Sequence, residues 1–525
     1  MRVCVGIDFG TTNSLITYAL VDTRDTLSIF QTAESITPGV TPSAYNKENG
    51  MLGWRALRRF LKPEDVERYF KIDLPGARDG RGYVAVGHPA YRTTRDYLRQ
   101  LFERFQQEYS DLEIEQIAFS VPEAWISGDE QAGGRIIRKI AEDLGLNAPI
   151  VISEPVAAAA YYAWLTSQSP NQPYNGHVLV YDHGGGTLDL SLVKIEGQYV
   201  ERVRGFGIST RRRGEAIQSG CGGVAYDWRV FEHLSLEAGN GLRRLNSSER
   251  MKWLNEFEQC KSGNGLHLAP LIDQYLGSGK DDYAFTVTLE APAIETVVRI
   301  SDLVDPFNEH IAPKISEALD SFMIACKLDR PHLLDDPERF QVLLVGGFSE
   351  FRAIQHLLEG YFSGANYSTR SLKANDIMPR SDKWLGISKG ACLVAGSRIL
   401  NIQNCPYTFG IVSYTGMERH HNDLMVRGDP VDQYRRSLPR VLRQRLGAGD
   451  LANPNSAVEF YREVNGVREP MFSRGTLRHE LPNYSEDNHW SVGAFIENGE
   501  ISIEFTDKND VRRIMRIHRF FDHLT

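Results

Sequence analysis

Tyr181 to Leu192 reads YDHGGGTLDLSL. The apolar run Val178 to Val180 leads into Asp182, three glycines follow (Gly184, Gly185, Gly186), and Thr187 and Asp189 open a second apolar stretch. Glycine permits positive φ and lets a backbone approach a bulky anion that a Cβ would hold off. Successive N–H groups in such a turn form an anion-binding nest. Apolar residues on both sides predict two strands, with the glycines closing a tight hairpin between them. Taken alone, the stretch reads equally as an ordinary glycine-rich hairpin, because a single glycine motif is a weak signal.

The N-terminus carries the same design a second time. Val3 to Ser14 reads VCVGIDFGTTNS: an apolar strand ends in Asp8, Gly10, Thr11 and Thr12 follow, and Leu15 to Leu20 resumes a strand. Two strand–Asp–Gly–Thr–strand hairpins about 170 residues apart predict a duplicated domain. A pair of phosphate cradles, each with a carboxylate at its start, suits clamping one polyphosphate and its magnesium from both sides. Neither is a Walker loop, because no Gly-Lys-Ser/Thr follows and no helix is expected at the glycines.

With both hairpins in view, GIDFGTTNS and DHGGGTLDLSL resemble the first and second phosphate motifs of the actin, sugar-kinase and heat-shock-chaperone superfamily. LLVGGFSEF (Leu343 to Phe351) resembles that superfamily's adenosine motif. AFSVPEAW (118–125) and ISEPVAAAAYYAWL (152–165) are similar to the heat-shock-protein-70, DnaK-type chaperones in particular. Counting that last run, 118–165, as one, the four motifs occur in the family's order over roughly residues 1 to 400. The resemblance implies an α/β fold: an actin-like, two-lobed ATPase of duplicated ribonuclease-H-like domains with a small C-terminal β-rich domain. The nucleotide domain is expected over 1–400, with insertions near 38–109 and 223–300, and a truncated substrate-binding-like domain over 401–525.

The same resemblance implies ATP or ADP with Mg2+, and admits K+. It assigns Asp8 and Asp182 to magnesium through its water shell, which suits a hard cation that dehydrates reluctantly. Gly10, Thr11, Thr12, Asn13 and Gly184 to Gly186 would cradle the phosphates. Lys71, Glu154, Thr187 and Asp189 would position the attacking water and the γ-phosphate. Glu258, Lys261, Gly346 and Gly347 would hold the adenosine. The family's usual Ser-Thr-Arg after those last glycines is Phe348-Ser349-Glu350 here.

Several of these residues have a plainer reading beside the functional one. Lys71 reads either as a lysine reaching the site or as a surface lysine, the usual fate of that side chain. Glu154, at a strand end before a helix, could cap that helix instead. Glu258 and Lys261 share a helical face and could form a surface ion pair. Arg211, Arg212 and Arg213 read as a solvated loop. His183 is expected to point away from a nucleotide, since only backbone is needed there. Ala157 to Ala160 read as small residues for close helix packing.

Further elements follow from periodicity. An amphipathic helix is predicted over Asp96 to Tyr109 and a strand over 113–122. A helix capped by Asp129 is expected to close at Gly145, with a short strand at Ile150 to Ile152 before the helix opening at Glu154-Pro155. Beyond Leu400, Pro406 to Ile411 resembles the first strand of the chaperones' peptide-binding domain, and Arg427 to Arg445 reads as a loop plus a short helix. AVEFYREV, GTLRHELP, WSVGAFIENGEISIEFTD and RRIMRIHRF alternate as strands, with Asn498-Gly499 as a hairpin turn. The family's helical lid and acidic linker are not expected.

The chain has 525 residues, a net charge of −9 with mixed signs, and six scattered cysteines. That balance gives no electrostatic footprint for nucleic acid. The cysteines lack zinc-ligand or paired spacing and read as buried free thiols of a reducing compartment. No signal peptide or membrane span is expected, so the reading is cytoplasmic. Three functions fit. The first is a slowly hydrolysing chaperone-like ATPase with a protein or peptide client and co-chaperones. The others are a nucleotide-gated scaffold or filament, and a small-metabolite kinase, the last disfavoured by the chaperone-like segments.

Overall fold

The computed structural model describes residues 1–21, 26–30, 39–57, 65–79, 83–127, 132–146, 149–168, 173–208, 217–236, 241–363, 372, 374–378, 382–402, 408–415, 418–426, 445–447, 458–464, 467–474, 489–497, 500–507, 509 and 512–517. It divides into two units, Met1–Asn401 and Ile402–Thr525. Asp129, Arg211 to Arg213, Pro406-Tyr407, most of the arginine-rich segment, GTLRHELP and the Asn498-Gly499 turn lie outside the described residues.

In the first unit, strand β1 (Arg2–Phe9) is buried from Val3 to Phe9, as its unbroken apolar run requires of a central strand. It pairs antiparallel with β2 (Asn13–Leu20), Phe9 opposite Ser14, and β3 (Ser28–Ile29) and β4 (Thr41–Pro42) pair with β2. A small hairpin, β5 (Ala44–Asn46) and β6 (Val66–Arg68), brackets α1 (Gly53–Ala56), and α2 (Phe70–Asp73) and α3 (Pro89–Glu108) follow. On the other side of β1 runs β7 (Glu113–Val121), parallel to it; α4 (Ala124–Ser127) and α5 (Ala132–Asp143) then lead to β8 (Ile150–Ser153), parallel to β7, and α6 (Glu154–Gln168).

The second sheet repeats this plan. Its central strand β9 (Asn175–His183) pairs antiparallel with β10 (Leu188–Glu196), which pairs with β11 (Tyr199–Ile208). Between them and the parallel neighbour come α7 (Gly223–Leu236), α8 (Ser247–Gly263), α9 (Gly265–Ser278), the hairpin β12 (Tyr283–Leu289) and β13 (Ile294–Arg299), α10 (Ile300–His310) and α11 (Ala312–Asp329). Strand β14 (Phe340–Val345) then lies parallel to β9, and α12 (Arg352–Phe362), α13 (Ala374–Ile377), α14 (Gly386–Ala395) and the edge strand β15 (Leu400–Ile402) follow. In each sheet a central strand carries an aspartate one residue before its end, with a hairpin partner on one side and a parallel strand on the other.

Helices α6 and α14 lie between the sheets. Helix α14 packs on β1, β2 and β7, α6 packs on β9, β10 and β11, and the two helices pack on each other. Small residues allow it. Ala157 to Ala160 are fully buried, and a Cβ on Gly390 would stand 1.7 Å from the Ala157 carbonyl oxygen. A Cβ on Gly6 would stand 2.2 Å from the Cys392 backbone nitrogen, so strand and helix meet backbone to backbone.

Helix α3 begins at Pro89, earlier than the predicted Asp96. The His88 ring accepts the Ala90 N–H at 3.2 Å, proline sits in the first turn, and buried Tyr91 and Thr94 extend the inward face. The predicted strand starting at Ile150 and the helix starting at Glu154 form as expected.

The second unit, among its described residues, holds two four-stranded sheets. One orders β16 (Thr408–Thr415), β17 (Glu418–Met425), β19 (Val458–Val464) and β20 (Val467–Arg474) as β17-β16-β19-β20; the other orders β18 (Arg445–Gly447), β21 (His489–Glu497), β22 (Glu500–Thr506) and β23 (Arg512–Ile517) in sequence. Arg445, expected to end a loop and helix, instead opens β18, where Leu446 pairs opposite the fully buried Trp490. No disulfide joins the described cysteines, and among the described residues no helix is long and apolar enough to cross a membrane.

Candidate functional site

The two hairpin loops face each other. A Cβ on Gly185 would lie 2.5 Å from Thr12 Cγ2, and one on Gly186 would lie 2.2 Å from Thr11 Oγ1. Glycine at both positions is therefore a requirement of the approach, and the peptide groups of one loop meet the threonines of the other. Each loop is braced from behind. The Ser43 N–H donates to the Thr12 carbonyl at 2.8 Å and the Ser43 hydroxyl to the Gly10 carbonyl at 2.7 Å, while Asn13 Nδ2 reaches Thr12 Oγ1 at 3.4 Å. In the second loop the Gly184 N–H bonds the Thr187 carbonyl at 3.1 Å. The first turn of α7 donates from Gly223 and Val224 to the Gly184 and Gly185 carbonyls.

Four carboxylates converge beside these loops. Asp8 and Asp182 are the penultimate residues of their strands, Asp189 stands opposite Asp182 across the β9–β10 ladder, and Glu154 opens α6; all four are buried. Burial and then the Glu154 charge push the Asp8 carboxyl up to about 7, against the opposing pull of Lys71 and a hydrogen bond from Ser120. Asp182 and Asp189 are held well above the usual carboxylate range, first by burial and then by Glu154. The Thr187 hydroxyl works the other way on Asp189, by a hydrogen bond. Oδ2 of Asp182 and Oδ2 of Asp189 are buried without a hydrogen-bond partner. Crowded carboxylates with free oxygens fit a hydrated divalent cation, whose charge offsets their repulsion.

Lys71 is 3% exposed, so the surface reading does not hold. Its Nζ donates to Glu154 Oε1 at 2.7 Å and lies 5.7 Å from the ring centres of Phe9 and Trp125. It enters because Tyr69 takes a left-handed conformation (φ 59°) that turns the chain into α2. Glu154 thus faces a lysine across the site in addition to opening its helix.

The third glycine motif touches the same cluster. Gly346 has φ 86°, and a Cβ there would stand 2.5 Å from Asp182 Oδ1. Past Gly347 the chain turns so that Phe348 is buried, stacks on Phe351 and meets the His183 ring edge-on at 4.8 Å. Glu350 pairs with Lys383 at 3.1 Å. His183 is fully buried with Nε2 on the Cys221 carbonyl (2.9 Å) and Nδ1 on the Tyr181 hydroxyl (2.8 Å). A carbonyl only accepts, so Nε2 carries the proton and Nδ1 accepts from tyrosine. Burial lowers the histidine to about 4 and keeps it neutral.

Glu258 and Lys261 do not pair with each other, contrary to the surface-pair alternative. Glu258 accepts from Arg68 Nη2 at 2.8 Å, and Arg68 also bonds Asn255. Lys261 bonds Asp227 and lies over the rings of Tyr226, Phe257 and Phe348 at 5.1, 5.5 and 5.7 Å. Phe348 thus links Lys261 to the glycine motif, and residues 68–71 link Glu258 to Glu154. Arg68 and Asp227 were not among the residues singled out in the sequence. Their signal there is slight: a basic residue three before Lys71, and an aspartate inside a helix.

The family model described as Hsp70 protein matches residues 96–261. A "Chaperone protein HscA homolog" of Shewanella loihica is 22% identical over 441 residues, covering 79% of this chain and 63% of that protein. Another so described, from Burkholderia thailandensis, is 24% identical over 380 residues, covering 69% of this chain and 54% of that one. The chain therefore spans less than two thirds of the length of these curated relatives. The matched family segment contains Glu154, the whole Tyr181 to Leu192 hairpin, Glu258 and Lys261, and over this segment and its two HscA relatives the chain is similar to the Hsp70-type family.

Proposed function

We propose that the chain is an actin-like ATPase whose two lobes arose by duplication, that it binds MgATP between them and hydrolyses it slowly, and that its nucleotide state controls binding of a protein or peptide partner by the β-rich unit. The observation that carries this reading is the meeting of Thr11 and Thr12 with Gly185 and Gly186 beside four buried carboxylates, two of which have an unpartnered oxygen. The common plan of the two sheets supports the duplication.

Asp8 and Asp182 would hold Mg2+ through its water shell. The ion, when bound, neutralises charge on the β- and γ-phosphates. The loop N–H groups and the threonine hydroxyls cradle phosphate oxygens. Lys71 carries a positive charge to the Glu154 carboxylate, fixing its orientation for a water proton, while Asp189 and Thr187 bound the γ-phosphate side. Phosphoryl transfer needs positioning and charge neutralisation more than covalent chemistry, and this set supplies both. Gly346 lets the turn close against Asp182, and Gly347 leaves backbone open to a ribose or purine, with Glu258 and Lys261 beyond.

Steady-state turnover of the wild type and of Glu154→Gln, with ADP binding measured alongside, tests the reading. We expect slow hydrolysis, reduced about 100-fold or more by the substitution, with ADP affinity within a few-fold. Equal turnover in both would sink the role of Glu154, and no nucleotide binding would sink the site.

A further inference from the structure

Glu123 stands outside the set just described, yet it is 0% exposed. It follows Pro122 at the end of β7, in the first sheet, but its side chain is seated in the second. Its carboxylate accepts from the Ser191 hydroxyl on β10 at 2.9 Å and pairs with Arg202 on β11. Its backbone N–H donates to Asp189 Oδ1 at 2.8 Å.

Strand β11 is shaped around this insertion. Ser191 pairs opposite Gly205, and Asp189 opposite Gly207. A Cβ on Gly205 would stand 2.0 Å from Glu123 Oε1, and one on Gly207 would stand 2.6 Å from Asp189 Oδ1 and 2.7 Å from the Ala124 nitrogen. Glycines at alternate positions thus clear one face of the strand for a residue arriving from the other sheet. The ladder also slips between Leu192 and Val193, where Arg204 and then Arg202 are the partners. Such a bulge re-aims the side chain next to it. Here that side chain is Arg202, turned toward Glu123.

We propose that Glu123 is a positioning residue for the phosphate site. Its N–H fixes one oxygen of Asp189, and its carboxylate, held by Ser191 and Arg202, pins the end of β7 to the second sheet. Asp189 then presents its other oxygen in one orientation, and the two halves of the site keep their spacing. The kinetic consequence rests on the ATPase reading above; the structural one does not.

The test compares Glu123→Ala and Glu123→Gln with the wild type in the full chain. Arg202 is 26% exposed, so its charge reaches water when the carboxylate is removed; if Glu123→Ala still fails to fold, the Glu123→Ala/Arg202→Ala double variant, which removes both members of this ion pair, takes its place. We expect turnover about tenfold lower or more in the alanine variant, with ADP affinity and KM for ATP within about twofold, and recovery of most of the loss by glutamine. A merely structural residue would move affinity and melting temperature along with turnover. Amide exchange at residue 123, measured without nucleotide, is expected to quicken about tenfold or more in the alanine variant. Turnover within twofold of wild type would overturn the proposal. A wild type without turnover would sink the ATPase reading alone, and unchanged exchange at residue 123 would then overturn the tie.

Discussion

Where the two hairpins meet, Thr11 and Thr12 face Gly185 and Gly186, and the nearby Asp182 and Asp189 each keep a buried oxygen without a partner. On α8 the situation is reversed: Glu258 is held by Arg68, and Lys261 by Asp227 and three aromatic rings. On the proposed reading, a cation arriving with the phosphates would offset repulsion among the groups already crowded together in the first region. A base entering the second must compete with ion pairs already formed. Most of the affinity for a nucleotide should therefore come from its phosphates, with modest discrimination between bases.

The sharpest way to break that contrast is Gly186→Ala. Its methyl would stand 2.2 Å from Thr11 Oγ1 and force the loops apart. We expect turnover to fall about 100-fold and ATP affinity to fall with it, since small misplacements at a reacting centre are costly. Wild-type affinity in this variant, read by isothermal titration, would show that the loops do not hold the phosphates.

Lys261→Ala should do much less. A single charged hydrogen bond is worth about 1.5–3 kcal/mol at most, and part of it here is already given to Asp227. ATP affinity is expected to fall about three- to tenfold, while affinity for inorganic tripolyphosphate stays unchanged. A loss shared equally by both ligands would place Lys261 at the phosphates and erase the contrast.

The smallest effect is on stability. Asp8 titrates near 7 in the folded chain against the ordinary 3.8, so between those values the native state binds the extra proton and stability falls as pH rises through the window. His183, lowered to about 4 from 6.5, acts oppositely, losing stability only as pH drops below 6.5. From pH 6.5 upward the carboxylates act without that opposition. Melting of the magnesium-free protein should therefore drop by a few degrees, roughly, between pH 6.5 and 8.5. Asp8→Asn, or saturating MgADP, should flatten the dependence. A melting temperature that rises with pH in the unmodified, metal-free chain would contradict it.

How far each region could be read in the sequence follows the same division. Both hairpins were legible because a backbone that must pass close to another group leaves glycine at fixed offsets from an aspartate, a local pattern. The helix opening at Glu154 was legible for a like reason, since strand, acid and proline stand next to one another. Lys71 was undecided between site and surface, and its burial against Phe9, Trp125 and Glu154 removes the surface reading. Arg68 with Glu258, and Glu123 with Arg202, could not be read. Each pair joins segments far apart in the chain, and a charged residue looks the same in sequence whether its partner is water or a buried carboxylate. On the described residues, the C-terminal alternation was legible as strands, but the pairing order was not, because register depends on turns and on which face is covered.

Helices α6 and α14, locked together where Gly390 meets the Ala157 carbonyl, carry a consequence for how this protein can vary over generations. Residues on the outer faces of the sheets can drift one at a time, each change absorbed by its own neighbourhood. Along that line of contact a single added methyl is felt by both sheets at once, because each helix rests on a different one. Alleles that fail only at raised temperature would arise most readily there, at Gly390 and at Gly6, remote in sequence from the second hairpin whose spacing they would disturb.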